Sequence, residues 1–417
     1  MNADAPARRV AVVGAGIVGL ATALYLQREG FRVALFDKGG VGEGASFGNA
    51  GIIAVGSVLP VGMPGIAKQV PGMLLDPLGP LTIRWSYLAQ IAPWLLRMLK
   101  HTSHEEVVRI SGAIASLSLP SIAHYEPLLE DAGARDLVSR SGSLSVFTTM
   151  AERTEAQFGI ELRRRHGVEM EPLGPDELRQ MVPALSPDLA GAIFLPGAGH
   201  CLNPLALSQA FARLLEQRGG VFYREEVVDF DIGPEGPSHV VTDGGRHGID
   251  EVVIAAGAYS RPLARRLGAS VPLETERGYH VMLPDPGIDV RLPMLFSGLG
   301  FGVTPMADGL RCAGTVEFAG VYAEPNYARA EAILTKAKRV LPGLRDAGVE
   351  RWMGRRPSLP DSLPVIARSP RFRNVYLAFG HGHLGLTQAA VTGRMIADMM
   401  TGRSPAVDPS PFRADRF

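Results

Sequence analysis

Three glycines, Gly14, Gly16 and Gly19, break an apolar run over residues 10–26 with the spacing G-x-G-x-x-G. The run follows Arg8-Arg9, so hydropathy alone would suit an export signal or a membrane anchor. A signal ends in a small-residue cleavage site, and a span needs about 20 apolar residues. This run ends instead in Gln27-Arg28-Glu29-Gly30. Residues 10–13 read as a strand, 17–28 as a helix stopped by Gly30, and 31–36 as a second strand ending in Asp37. In that frame Gly14 permits the tight turn, Gly16 admits a pyrophosphate to the backbone, and Gly19 lets helix and strand pack closely. The phosphates meet the positive helix N-terminus at Ile17 and Val18. Asp37 stands near the expected spacing, roughly 20 residues on, for an acid that binds a ribose hydroxyl. The stretch predicts a dinucleotide site.

The rest of the chain must be organised around that unit. Its 417 residues exceed what one core usually serves, so two domains are expected. Lys plus Arg and Asp plus Glu both total 42, which removes any electrostatic case, from net charge, for nucleic acid or a broadly anionic membrane surface. Cys201 and Cys312, far apart, give no disulfide framework and no metal-ligand spacing; they read as buried thiols in a reducing cytoplasm.

Three further stretches bear on the cofactor. "GGVGEGASFGNAG", from Gly39 to Gly51, is too glycine-rich for a third strand and suits a loop around a flat ligand. Lys38, Ser46, Asn49, Ala50 and Gly51 are its candidate contacts. "EVVIAAGAYS" is a buried strand whose small end residues, Ala256 and Gly257, let a cofactor pass. Upstream, "GGVFYREEVVDFDI" reads as a strand pair carrying Val228. Near the C-terminus a strand over 375–379 enters Gly380-His381-Gly382-His383-Leu384-Gly385, and a helix follows through Leu386 and Thr387. A second helix N-terminus can thus face a ligand and stabilise the negative charge of a reduced flavin.

Together "GAGIVGL", "GASFGNAG", "AAGAYS", "ERGYHVML", "GRRPSLPDSLPVI" and "FGHGHLGLTQA" give a chain that resembles the D-amino acid oxidase superfamily of FAD-dependent oxidoreductases. The likeness covers nearly the whole chain and is greatest to the D-amino acid dehydrogenases, D-hydroxyproline dehydrogenases included. Asp37 departs from the usual Glu. The resemblance implies an α/β protein, with a Rossmann-like FAD-binding domain and a second, antiparallel-sheet substrate domain. The expected division gives 1–83, 185–272 and 345–417 to FAD, and 84–184 and 273–344 to substrate. FAD is expected to be non-covalent, since the C-terminal loop has no cysteine.

The resemblance also places Arg356 over the flavin as clamp for a substrate carboxylate. Two other readings stand beside it: Arg356 paired with Asp361, or Arg355 as the clamp. Alternation puts Tyr279 and His280 on opposite faces of a strand lining the substrate cavity, and either could contact substrate; His280 could equally be structural. Cys201 lies in "PGAGHCLNP", a candidate cavity wall. His383 would polarise the flavin pyrimidine or a product. The implied reaction is oxidative deamination of a D-amino acid, D-proline and D-hydroxyproline among the candidates. Hydride passes from Cα to flavin N5 and no general base is strictly needed, in keeping with the lack of an evident Asp–His pair. None of Lys38, Lys68, Lys100, Lys336 and Lys338 falls in a flavin motif. That favours a dehydrogenase feeding a quinone or carrier over an oxygen-using oxidase of glycine, sarcosine or N-alkyl amino acids. A non-catalytic FAD-binding subunit is the remaining alternative. Residues 83–99 are amphipathic, with Trp85, Trp94 and basic ends. They read either as a helix packed on the FAD domain or as a peripheral contact with the inner face of a membrane.

Overall fold

The structure, a computed structural model, describes residues 7–76 and 79–417. A six-stranded sheet runs in the spatial order Val221–Tyr223, Arg32–Phe36, Arg9–Val13, Glu251–Ile254, Val375–Phe379, Val365–Arg368. All pairs are parallel except the last. Strand alternation splits its apolar side chains between two faces. Val10 and Val12 pack with Leu20, Leu24, Phe211 and Val391 from the helices Ile17–Arg28, Pro204–Gln217 and Gly385–Thr401. Ala11 and Val13 pack on the other side with Phe230, Val240 and Leu267, under a small three-stranded sheet and the helix Ser260–Arg266.

A nine-stranded sheet forms the second unit. Its central strand, Glu274–Leu283, is buried along its whole length between Glu350–Ser358 and Gly309–Phe318. The sheet is antiparallel except where Met294–Phe296 meets Ser143–Phe147 and where Leu81–Ile83 meets Gly309–Phe318. Tyr279, Val281, Leu283 and Cys312 point to one face, where Ile333 and Ala337 of the helix Ala328–Val340 cover them.

The chain crosses between the two units at other points than the sequence suggests. Leu81–Ile83, Gly191–Leu195 and Glu350–Ser358 were expected within the FAD segments 1–83, 185–272 and 345–417, yet all three join the nine-stranded sheet. The reason is pairing: Gly191–Leu195 fills the flank of Ser143–Phe147, and Glu350–Ser358 supplies the outer partner of Glu274–Leu283.

Residues 83–99 form a short turn, Trp85–Tyr87, and the helix Leu88–Lys100. Its buried Ile91 and Trp94 pack on Phe318, so the helix sits on the nine-stranded sheet rather than on the FAD domain. Trp85, Leu88 and Leu96 remain exposed. Among the described residues one helical stretch, His104–Asp131, is long and apolar enough to cross a bilayer; half of it is buried in the fold, and it bends at Leu119-Pro120.

Candidate functional site

The N-terminal glycines occupy distinct environments. Gly14 holds φ at 116°, and a β-carbon there would stand 2.3 Å from the Ala255 carbonyl oxygen. A β-carbon at Gly19 would stand 1.9 Å from the Gly14 carbonyl oxygen. Both are therefore packing glycines. At Gly16 a β-carbon would approach only the Ser46 hydroxyl, at 3.2 Å, and at Gly257 nothing within 4 Å. Those two leave room for a ligand.

The helices Ile17–Arg28 and Gly385–Thr401 start at the carboxyl edge of the same sheet and lie side by side, Gly393 against the backbone of Ala21. Neither has a side-chain cap from its own N-cap residue or an acid in its first turn. Two un-neutralised helix N-termini converge there, which is the arrangement that receives phosphate or other anionic groups. Asp37 accepts hydrogen bonds from the Ala15 and Gly39 amides, at 2.8 and 2.9 Å, which fixes its carboxylate at the strand end. Lys38 pairs with Glu226 and lies over the Tyr259 ring. Val228 stands apart from this cradle: its side chain is 57% exposed beside a strand irregularity, and Val227 takes the core position instead.

The loop from Gly39 to Gly51 is held from several sides. The Ser46 hydroxyl accepts from the Ile17 amide at 2.9 Å. Asn49 closes the loop on itself through the Ser46 carbonyl and the Gly51 amide. Ala50 lies between these ties. Arg311 donates to the carbonyls of Phe47 and Asn49, and His280 donates from Nδ1 to that of Gly48 at 3.0 Å. His280 also stacks on Trp352. Burial, then the Arg311 charge, pushes its pKa down to about 4, so it is a neutral donor. Thr387 accepts from the Ala54 amide at 3.0 Å, tying the chain just past the loop to the last helix, and Tyr125 of the helix Ser121–Asp131 donates to the Leu386 carbonyl at 2.6 Å. Cys201 is buried against this loop, and burial pushes its pKa to about 12. As a thiol it is a poor nucleophile.

Beyond the loop stands the face of the nine-stranded sheet opposite Tyr279. Arg356 pairs across the ladder with Glu276, and Gly354 with Gly278. The Arg356 guanidinium lies over Gly278 and donates to the carbonyls of Thr315, at 2.8 Å, and Gly314, at 3.3 Å. Thr315 is held at φ 56°, rare for a β-branched residue. Glu276 reaches His383, with 2.6 Å between its Oε2 and the imidazole Nε2. Burial works to raise the Glu276 pKa, but His383 and Arg356 hold it below the usual carboxylate value. Burial lowers that of Arg356, against the pull of Glu276. His383 sits on the turn Gly382–Leu384, reached through Gly380 and Gly382 at positive φ, and is 42% exposed.

The alternatives for the clamp separate here. Arg355 points to the other face and donates to the Val321 carbonyl. Asp361 is paired with Arg416, at 2.7 Å, leaving Arg356 to Glu276. Tyr279, expected as a possible substrate contact, lies with the core side chains and donates to Glu317, which also pairs with Arg84 and Arg277. The residue that sequence reasoning missed is Glu276. The only cue was an acid within a strand that is otherwise a core element. Glu276 and His383 form an acid–His pair from distant parts of the chain, where the sequence shows no evident Asp–His pair.

The model of the family described as FAD dependent oxidoreductase matches residues 9–399. The chain is 39% identical to a D-amino-acid oxidase of Bradyrhizobium diazoefficiens, covering 98% of this chain and 99% of the relative. It is 32% identical to a D-amino acid dehydrogenase of Paramagnetospirillum magneticum, again over 98% and 99%. Among solved structures, glycine oxidase of Geobacillus kaustophilus shares the fold with a TM-score of 0.76 at 24% identity, over 98% and 99% of the two chains. L-proline dehydrogenase of P. horikoshii does so with 0.75 at 20%, over 99% and 98%.

Proposed function

The chain belongs to the family of FAD dependent oxidoreductases, and from that premise we propose that it oxidises D-amino acids to imino acids, which hydrolyse to keto acids or stay cyclic if derived from a proline. The observation that carries this reading is Arg356, a half-buried guanidinium on a glycine floor. Two of its N–H groups go to carbonyls, and the rest of the planar fork is free to take a carboxylate in bidentate fashion.

The FAD that this family binds would lie with its phosphates at Gly16, Ile17 and Val18 and its ribose at Asp37. The loop residues Ser46, Asn49, Ala50 and Gly51 would border it, as would Ala256 and Gly257. Gly382, Leu384, Gly385, Leu386 and Thr387 would border the flavin end. When bound it accepts the hydride and so supplies the redox chemistry. The protein orients the substrate: Arg356 fixes the carboxylate, and His280 and Arg311 keep the loop between sheet and cofactor in place.

For the electron acceptor, a quinone or carrier is the favoured reading. Lys38 and Lys338 are paired with acids, Lys336 donates to the Leu299 carbonyl, and Lys68 and Lys100 lie on outer helices. The oxygen-using alternative is favoured by the name of the 39% identical relative. The exposed Trp85, Leu88, Leu96 and Leu99, with Arg97 and Lys100, support a peripheral contact with a membrane surface on its cytoplasmic side.

The test is anaerobic bleaching of the purified yellow protein by matched D- and L-amino acids, both hydroxyproline epimers, sarcosine and glycine. Bleaching by D-isomers alone is expected. Bleaching by sarcosine or glycine instead would move the reading to N-alkyl amino acids. Peroxide formed at the rate of turnover would identify an oxidase. Arg356→Ala should keep FAD and lose bleaching, whereas a non-catalytic subunit would show no bleaching even in the wild type.

A further inference from the structure

Resting on the reading that an amino acid binds at Arg356, we infer that His383, positioned by Glu276, is the base that takes the proton from the substrate's ammonium group. Glu276 and His383 come from strand and turn elements far apart in the chain, yet meet at 2.6 Å. Glu276 is 3% exposed, so its charge is committed to this contact and to Arg356, its cross-strand partner. A carboxylate only accepts, so Nε2 of His383 carries the hydrogen. In the neutral imidazole Nδ1 then holds a free lone pair, and among the described residues it has no partner. The ring is 42% exposed, and the Glu276 it contacts is the cross-strand partner of Arg356. An amino acid held by its carboxylate on Arg356 has its ammonium one carbon away, on a site already carrying the Glu276 charge.

The step balances without a co-reactant. An N–H bond of the ammonium breaks, its electron pair stays on nitrogen, and the proton forms a bond to Nδ1. The resulting imidazolium is stabilised by Glu276. The free lone pair on the substrate nitrogen is what hydride departure from Cα requires. His383 is the catalytic residue here and Glu276 a positioning residue.

The other charged groups around the pair are Arg356 and side chains engaged elsewhere. Arg356 faces it from Glu350–Ser358. The first turn of the last helix carries no acid. His381, on the same turn, is turned away onto Thr392 and kept neutral by burial, with a pKa of about 3. Glu274 is bonded by Tyr87, and Glu317, Arg277 and Arg355 are engaged elsewhere.

The experiment is anaerobic flavin bleaching of the holoenzyme by its fastest D-amino acid across pH, in wild type, His383→Asn and Glu276→Gln. The wild-type rate should rise with pH by one proton and level off once His383 is neutral. His383→Asn should be slower by about 10²-fold at neutral pH, and should keep rising toward the pH at which the ammonium deprotonates unaided. Glu276→Gln keeps an acceptor but loses the charge, so its profile should level at lower pH and at a lower rate. As a readout independent of turnover, ¹⁵N NMR of the imidazoles should show the His383 signal, identified by its absence in His383→Asn, titrating at lower pH in Glu276→Gln. Variant profiles that parallel the wild type at every pH, or an unmoved imidazole titration, overturn the inference while the D-amino acid reading stands. A wild type that no D-amino acid bleaches overturns both.

Discussion

The guanidinium of Arg356 rests on Gly278, so closely that a β-carbon on that glycine would stand 2.1 Å from its Cζ. The two residues belong to neighbouring strands, and Gly278 is paired with Gly354, a second residue without a side chain. A β-carbon at Gly354 would strike the Trp352 ring. The two glycines therefore clear one patch of the sheet for one guanidinium and one indole.

Gly278→Ala follows directly. The backbone at 278 is not in the left-handed region, so alanine is tolerated, and the clash is with the mobile end of an arginine. The variant should fold, retain FAD and bind the substrate carboxylate less well. A displaced charge-assisted contact costs about 1.5–3 kcal/mol, roughly 10- to 100-fold in Kd. Anaerobic titration against flavin absorbance checks it. An unchanged Kd would show that Arg356 is not the clamp.

Gly16 and Gly19 separate packing from cofactor binding. Gly19→Ala puts a methyl group against the Gly14 carbonyl with no room to move, and should destabilise the apoprotein by about 1–3 kcal/mol or more. Gly16→Ala meets only a hydroxyl. Its apoprotein should melt like the wild type while FAD affinity falls. Thermal melts of both apoproteins, beside FAD titrations, decide it; equal melting losses would contradict the distinction.

Those predictions rest on parts of the molecule unequally visible in the sequence. The nucleotide cradle is local: Gly14, Gly16, Gly19 and Asp37 act within one strand–helix–strand unit, so spacing alone exposes it. Arg356 comes forward only through the resemblance carried by the contiguous "GRRPSLPDSLPVI", which leaves Arg355 and a pairing with Asp361 open. Glu276 is not, because its meaning depends on His383 and Arg356 arriving from elsewhere. Alternation correctly puts Tyr279 and His280 on opposite faces but cannot say which face meets the helix Ala328–Val340 and which the cofactor loop. The boundaries near 84, 185 and 345 err for a similar reason. The strands Leu81–Ile83, Gly191–Leu195 and Glu350–Ser358 choose their sheet by non-local pairing, which leaves no local mark.

Acid should destabilise the protein through its buried histidines. Burial holds His200 near a pKa of about 4, His280 at about 4 and His381 at about 3. All three lie below the unfolded value of about 6.5. Between that value and the folded ones the unfolded chain binds more protons, so stability falls as pH drops through this window and is unaffected above it. Each histidine adds a slope of about 1.4 kcal/mol per pH unit. His280→Gln should reduce the slope of unfolding free energy against pH by about one proton between pH 6 and pH 5. A wild-type stability flat across that window would refute the buried neutral state.

The exposed apolar side chains near the start of the second unit make a membrane contact testable. Trp85 is 86% exposed and Leu96 63%, while Ile91 and Trp94 on the same segment anchor it to Phe318. Arg97 and Lys100 lie in the last turn, where each basic group is worth about 1 kcal/mol near an anionic surface. The preceding helix Ile66–Leu75 has no buried residue and exposes Leu74 and Leu75. A surface held by its own core contacts yet showing tryptophan and leucine outward suits an interfacial helix. The wild type should pellet with phosphatidylglycerol-containing vesicles, less so at high salt. Trp85→Ser with Leu96→Ser should weaken binding by roughly 10-fold or more, since each side chain contributes about 1.5–3 kcal/mol on burial. Anaerobic bleaching by a D-amino acid should be unchanged, because both side chains are exposed to solvent. If the wild type stays in the supernatant at low salt, the exposed residues serve another contact and the acceptor is met in solution.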